Sequence, residues 1–157
     1  MRRHAAALAT AVWLVACSST PATFALIGAS VDPTYKCPGG ANNAAYDLHA
    51  TIDARNNTSR PVTVESITAE MTLTATHGSW LEKVGDRYRA EGVKFAPSRV
   101  AAGSTSTLKV TIPSACTSGK YGEGVSSSGD YTVTMHIATS AGAYAISARN
   151  QHQILAA

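Results

Sequence analysis

Between residues 46 and 55 apolar and polar side chains alternate strictly, with Tyr46, Leu48, Ala50, Ile52 and Ala54 sharing one face. A period of two is the mark of a strand with one dry side, so this stretch predicts a half-buried antiparallel strand. Asn56, Asn57, Thr58, Ser59 and Arg60 form a turn cluster, and Pro61 opens the next strand where no ladder donor is lost. Beyond it Val62 and Val64 keep one parity while Ile67, Ala69, Met71 and Leu73 keep the other. The phase change at Glu65 and Ser66 predicts a bulge or a change of sheet. Leu108, Val110 and Ile112 alternate up to Pro113, taken as the strand's end. Tyr131, Val133, Met135 and Ile137 alternate again and run into a hairpin through residues 139–142. In that hairpin Ile137 opposes Tyr144, Met135 opposes Ile146 and Val133 opposes Ala148, which turns one face inward along its whole length. Residues 80–91 are ambiguous. Trp80, Val84 and Tyr88 stand at helical spacing, whereas Gly85-Asp86 suits a hairpin turn, the reading that strands on both sides favour.

The composition agrees with strands. Of 157 residues, 34 are Ser or Thr, only 15% are charged and 45% are hydrophobic. This is one domain's worth of chain, too apolar for disorder and too short for two good cores.

The N-terminus follows another pattern: Arg2 and Arg3 precede an uncharged, mostly apolar run over residues 5–16. Twelve residues cannot span about 30 Å of hydrocarbon, so this is a signal peptide, residues 1–16, and not a membrane span. No later segment reaches the roughly 18 apolar residues of a span. With the leader removed, Lys and Arg fall from 13 to 11 against 10 acidic residues, a net charge of +1. That balance gives no electrostatic case for nucleic acid.

Leu14, Val15, Ala16 and Cys17 resemble the lipobox of bacterial lipoproteins. The resemblance implies that Cys17 is acylated, becomes the new N-terminus and holds the protein to a lipid bilayer. Residues 17–25 are then the lipidated Cys and a short tether, and the domain covers residues 26–157. The competing reading is ordinary cleavage after Ala25, where Thr23 and Ala25 are small residues at the right spacing, which frees a soluble secreted protein. Either way Cys17 leaves the thiol pool. Cys37 and Cys116 remain as an even pair in an oxidising compartment, which predicts a disulfide. The bridge is expected to tie the segment before the Tyr46 strand to the loop after Ile112. A two-Cys metal site lacks any neighbouring His, so no metal or cofactor is expected.

About seven short strands, turns between them and one disulfide predict an all-β, two-sheet antiparallel sandwich. The stretch from Gly129 to Met135 resembles the penultimate strand of immunoglobulin-like domains, and Ala102-Gly103-Ser104 leading to Ile112 and Pro113 resembles the strand before it. The resemblance implies that Tyr131 forms a tyrosine corner, its hydroxyl bonding backbone just upstream. It also implies a domain that presents loops and edges to a protein or a cell-wall polymer. Val133 stands where the immunoglobulin Cys would be, so Cys37–Cys116 is not the usual inter-sheet bridge.

Candidate chemistry is sparse. His49 and His136 lie on polar parities of strands expected in opposite sheets, His77 sits beside Gly78, and His152 is expected as a half-buried cap. Asp47 and Asp53, six residues apart on one strand, stand about 20 Å from each other, too far for a glycosidase pair. Residues 119–124 carry glycines and Lys120 without phosphate-loop spacing, and no nucleophile elbow or zincin motif is present. The expectation is a non-enzymatic binding or assembly module. Trp80, Tyr88 and Tyr121 are its candidate ligand-contact aromatics, with Trp80 as a plug at one end of the core as the plainer role. The run Lys83, Arg87, Arg89, Lys94, interleaved with Glu82, Asp86 and Glu91, reads as a solvated face of mixed charge. A carbohydrate-binding or inhibitor-like secreted module is the alternative function, and a small hydrolase would need a polarised Ser or carboxylate in a cleft.

Overall fold

A computed structural model of the chain describes residues 22–118 and 127–156. The leader, Cys17 and Tyr121 lie outside the described residues, as does the whole Gly- and Lys-bearing loop over residues 119–124. The described residues form eleven strands in two sheets and no helix. The strands are β1 (Phe24–Val31), β2 (Thr34–Cys37), β3 (Ala44–Asn56), β4 (Val62–His77), β5 (Arg87–Ala90) and β6 (Lys94–Ala96). They continue with β7 (Arg99–Val100), β8 (Ser104–Cys116), β9 (Ser127–Thr139), β10 (Gly142–Ser147) and β11 (His152–Ala156). One sheet runs β1-β3-β8-β6. The other runs β2-β11-β9-β4-β5, with β10 also on β9 and β7 on the start of β4. The described residues therefore form the two-sheet sandwich that the alternation predicts, with four more strands than expected. β2 pairs with β11 in parallel, against the expectation of a wholly antiparallel fold.

The two inner faces supply the core. From the first sheet come Leu48, Ile52, Leu108 and Ile112, and from the second Met71, Leu73, Val133 and Met135, all essentially inaccessible to water. Each such side chain contributes about 1.5–3 kcal/mol by leaving water. The phase change in β4 is a bulge, with the register to β9 shifting between Val64 and Ser66, so that Val64 and Ile67 both face the core. The β9–β10 register is the predicted one, Ile137 opposite Tyr144 and Met135 opposite Ile146. Its loop is tighter than expected, because Thr139 already pairs with Gly142. Gly142 takes φ 127°, which a side chain would resist.

Pro113 does not end its strand. β8 continues to Cys116, with Pro113 opposite Asp47 of β3. This is tolerated because β6 pairs only with Lys109, Val110 and Thr111, so Pro113 lies where β8 is a sheet edge. Cys116 is thus a strand residue and not a loop residue. Its bond to Cys37, with Cα atoms 5.9 Å apart, joins β8 of one sheet to edge strand β2 of the other. The domain also begins earlier than residue 26. Phe24 is buried, sits edge-on to Tyr144 at 5.1 Å and pairs with Asn56.

Candidate functional site

Where β8 outruns β6, a cleft is lined by residues of both sheets and by the segment between β4 and β5. This segment resolves the ambiguity of residues 80–91 in favour of a hairpin. β5 returns along β4 with Tyr88 opposite Met71, and the Gly85 amide donates to the Leu73 carbonyl at 2.8 Å. Gly85 takes φ 99° inside a β-turn that the Asp86 amide closes on the Lys83 carbonyl at 2.9 Å, and the Leu73 amide donates to the Asp86 carbonyl at 3.0 Å. The Asp86 carboxylate accepts the Lys83 amide at 2.8 Å, a local bond that tightens the turn.

Trp80, Leu81 and Glu82, just before that turn, line the mouth of the cleft, whose volume is about 240 Å³. Met71, Ser114, Cys116 and Ile154 line its walls, and Tyr88 stands across it with its hydroxyl donating to the Pro113 carbonyl at 3.4 Å. The Trp80 Nε1–H donates to the Tyr131 hydroxyl at 3.2 Å and to Glu82 Oε2 at 3.3 Å, and the Tyr131 hydroxyl donates to the same Oε2. Two neutral donors therefore orient one carboxylate. Burial, and then this bond to Glu82, push the Tyr131 hydroxyl well above the usual phenol range. Gly129 makes room for the indole: a Cβ there would stand 2.6–2.8 Å from three of its ring atoms, so the ring lies directly against the Gly129 backbone.

Behind the cleft lies a second polar group. Tyr35 and Tyr46 stack at 3.8 Å, and Tyr46 bonds His152 Nε2 at 3.0 Å. His152 Nδ1 lies 2.7 Å from the Asp32 carbonyl, which can only accept, so Nδ1 carries the proton and Nε2 accepts from Tyr46. Burial pushes His152 down and the Tyr46 hydroxyl up to about 12. His152 is fully buried, not a half-buried cap, because β11 places it opposite Tyr131 inside the sheet.

Of the aromatic candidates, Trp80 and Tyr88 come together at the cleft. Trp80 is half-buried, and Tyr88 is 43% exposed. Tyr131 is buried in the cleft wall, but it makes no tyrosine corner of the implied kind. Its single proton goes to Glu82 and so is not available to an upstream carbonyl. Glu82 is the residue that sequence reasoning misplaced, since it leaves the mixed-charge face for the cleft. Arg87 and Arg89 stay on that face and flank Glu70 at 3.4 and 3.6 Å. The remaining histidines are apart: His49 and His136 lie in different sheets, His49 beside Asp32 at 3.0 Å and His77 beside Asp130 at 3.3 Å. Among the described residues no group of three His, Cys, Asp or Glu side chains could hold a metal.

No protein-family model matches the chain, and no curated protein matches it. Among solved structures it is similar to the ASH/PapD-like domain of human CEP192 (PapD-like domain 7), at 10% identity and a TM-score of 0.34, over 97% of this chain and 98% of that one. It is also similar to the VesB protease of Vibrio cholerae, at 12% identity and a TM-score of 0.24, over 80% of this chain and 31% of the protease chain. Likenesses of this size leave the sandwich resting on its own strand pairing.

Proposed function

We propose that this protein is a lipid-anchored module of a bacterial cell envelope. It is held to the bilayer through acylated Cys17 and binds a protein or cell-wall partner at the cleft end of the sandwich. The observation that carries the reading is Phe24. Cleavage after Ala25 would take away a buried aromatic ring, its contact with Tyr144 and the bond from the Asn57 amide to the Thr23 carbonyl. Losing a buried Phe costs about 3–5 kcal/mol, a large part of a small domain's stability. Cleavage before Cys17 keeps all of these and leaves residues 18–22 as a tether, at most about 18 Å long.

Binding, and not catalysis, is the role the cleft chemistry supports. Its carboxylate is oriented by Trp80 and Tyr131, and the Ser114 hydroxyl, 3.7 Å from Met71 Sδ, is hydrogen-bonded to the Tyr46 hydroxyl, a neutral phenol and not a base. Globomycin, which blocks the lipoprotein signal peptidase, tests the anchor. Accumulation of the uncleaved precursor is expected, and unaffected release of the mature protein into the medium would overturn it in favour of the soluble secreted module.

A further inference from the structure

The strands that end the two sheets are guarded against further pairing, with one exception. β5 carries the exposed Arg87 and Arg89, β6 carries Lys94 and is followed by Pro97, and β2 carries Lys36 between Pro33 and Pro38. β7 has only two residues, one of them Arg99. β1 has a register shift between Leu26 and Gly28, and the segment after β10 covers its free side. There the Arg149 amide donates to the Ala29 carbonyl at 3.0 Å, and Asn150 bonds the amide and carbonyl of Val31 at 3.1 and 2.8 Å. Charge, proline, bulges and covering groups are the devices that keep a strand edge from pairing with another chain. β10 has none of them. Residues 139–148 contain no charged residue and no proline, and β10 pairs with β9 in unbroken register. The Ala148 amide donates to the Val133 carbonyl at 2.9 Å, and bonded positions alternate along an antiparallel pair, so Gly142, Tyr144 and Ile146 are the β10 residues bonded to β9. The amides and carbonyls of Ala143, Ala145 and Ser147 point the other way, where no strand meets them among the described residues. All three residues are exposed, and Tyr144 and Ile146 between them are half-buried against the core.

From this edge we infer that the protein forms a two-fold dimer through β10, the two copies pairing antiparallel about an axis at Ala145. The dimer goes beyond the proposed anchor and cleft and depends on neither. This one centre satisfies every outward group. Ala145 opposes Ala145 of the second copy and Ala143 opposes the second copy's Ser147, each pair exchanging two backbone hydrogen bonds. Between them Tyr144 opposes the second copy's Ile146, an aromatic facing a β-branched side chain, which carries the inward apolar face of the sheet across the seam. On the outward face only Ala and Ser meet, so neither bulk nor like charge holds the copies apart. A foreign strand would have to supply this complementarity, whereas a second copy already carries it. The seam is short and its area modest, so the dimer is expected to dissociate on dilution.

Sedimentation velocity tests this on the exported protein, purified from membranes in detergent or from the medium, wherever it is found, so that the anchor and the dimer are judged separately. A monomer–dimer equilibrium is expected, with monomer at low micromolar and dimer toward millimolar concentration. Ala145→Pro removes a donor that β9 does not use and should weaken the dimer at least tenfold. Ala145→Lys and Ala145→Glu, at an exposed position, each set like charges opposite one another at the axis. Each should be monomeric with an unchanged melting curve, and an equal mixture of the two should restore a mixed dimer. This charge pair decides the matter should the Pro variant fail to fold. A monomer at every concentration would leave the edge to another protein's strand and overturn the inference. A dimer as tight in the Ala145 variants as in the native chain, a mixture of the charge variants that stays monomeric, or growth beyond a dimer would overturn it as well.

Discussion

Asn56 shows how much a single polar side chain can organise. It is wholly buried at the end of β3, where its amide donates to the carbonyls of Arg60, Val100 and Ala101 at 2.8, 3.2 and 3.2 Å. Its oxygen accepts the Thr58 amide and hydroxyl at 3.0 and 2.7 Å, so that one residue stitches the β3–β4 turn to β7. Sequence reading sees only a polar turn here, because nothing local tells a buried Asn from a solvated one. Asn56→Ala leaves those carbonyls short of a donor and should cost about 3 kcal/mol or more, read as a lower urea midpoint with an unchanged slope. His152 carries a pH dependence of definite sign. Burial lowers its folded pKa below 6.5, so the unfolded chain takes up a proton that the folded chain resists, with Tyr46 and the Asp32 carbonyl occupying its two nitrogens. Its contribution is intact above pH 6.5 and lost as pH falls through that value toward the lower folded one. Urea midpoints should therefore drop from pH 7.5 to pH 5, and by less in His152→Gln. Equal drops in both proteins would assign the effect to other groups.

Long strands were legible and short ones were not. β3, β8 and β9 each run for 13 residues with one dry face, long enough for a period of two to stand out. β5, β6 and β7, at 4, 3 and 2 residues, show no period of their own and exist because a neighbour's edge is there to pair with. The parallel pairing of β2 with β11 leaves no local trace either, since its partners are far apart in the chain. At the cleft, Trp80 and Tyr88 could be singled out by residue type. Glu82 could not, because turn residues follow no periodicity and Glu82 sits among alternating charges. Gly129 was equally hidden, since its role depends on an indole 49 residues away in the sequence. The backbone at Gly129 is ordinary β9 strand, so what Gly129→Ala meets first is the Trp80 ring. That variant should cost about 1 kcal/mol and move Trp80 emission to longer wavelength as the indole is pushed toward water. Unchanged emission would place the indole elsewhere.

At the scale of the molecule, two sheets share one core, and a covalent bond fastens them at the cleft end. Cys37 and Cys116 are 79 residues apart, a loop whose closure in the unfolded chain is worth on the order of 4 kcal/mol. Replacing both with Ser should lower stability by about that amount, seen as a fall in the urea midpoint. No change would mean that the bridge is redundant with the core. The even pairing was foreseeable once Cys17 was set apart. The position of Cys116 at the end of a strand was not, because Pro113 reads as a strand terminator unless it is known to lie on an edge. Where the mature chain begins decides both the anchor and the integrity of β1. Mass spectrometry of the mature N-terminus measures this directly. The account predicts a chain starting at Cys17 and carrying diacylglycerol on its sulfur, and an unmodified chain starting at Leu26 would contradict it.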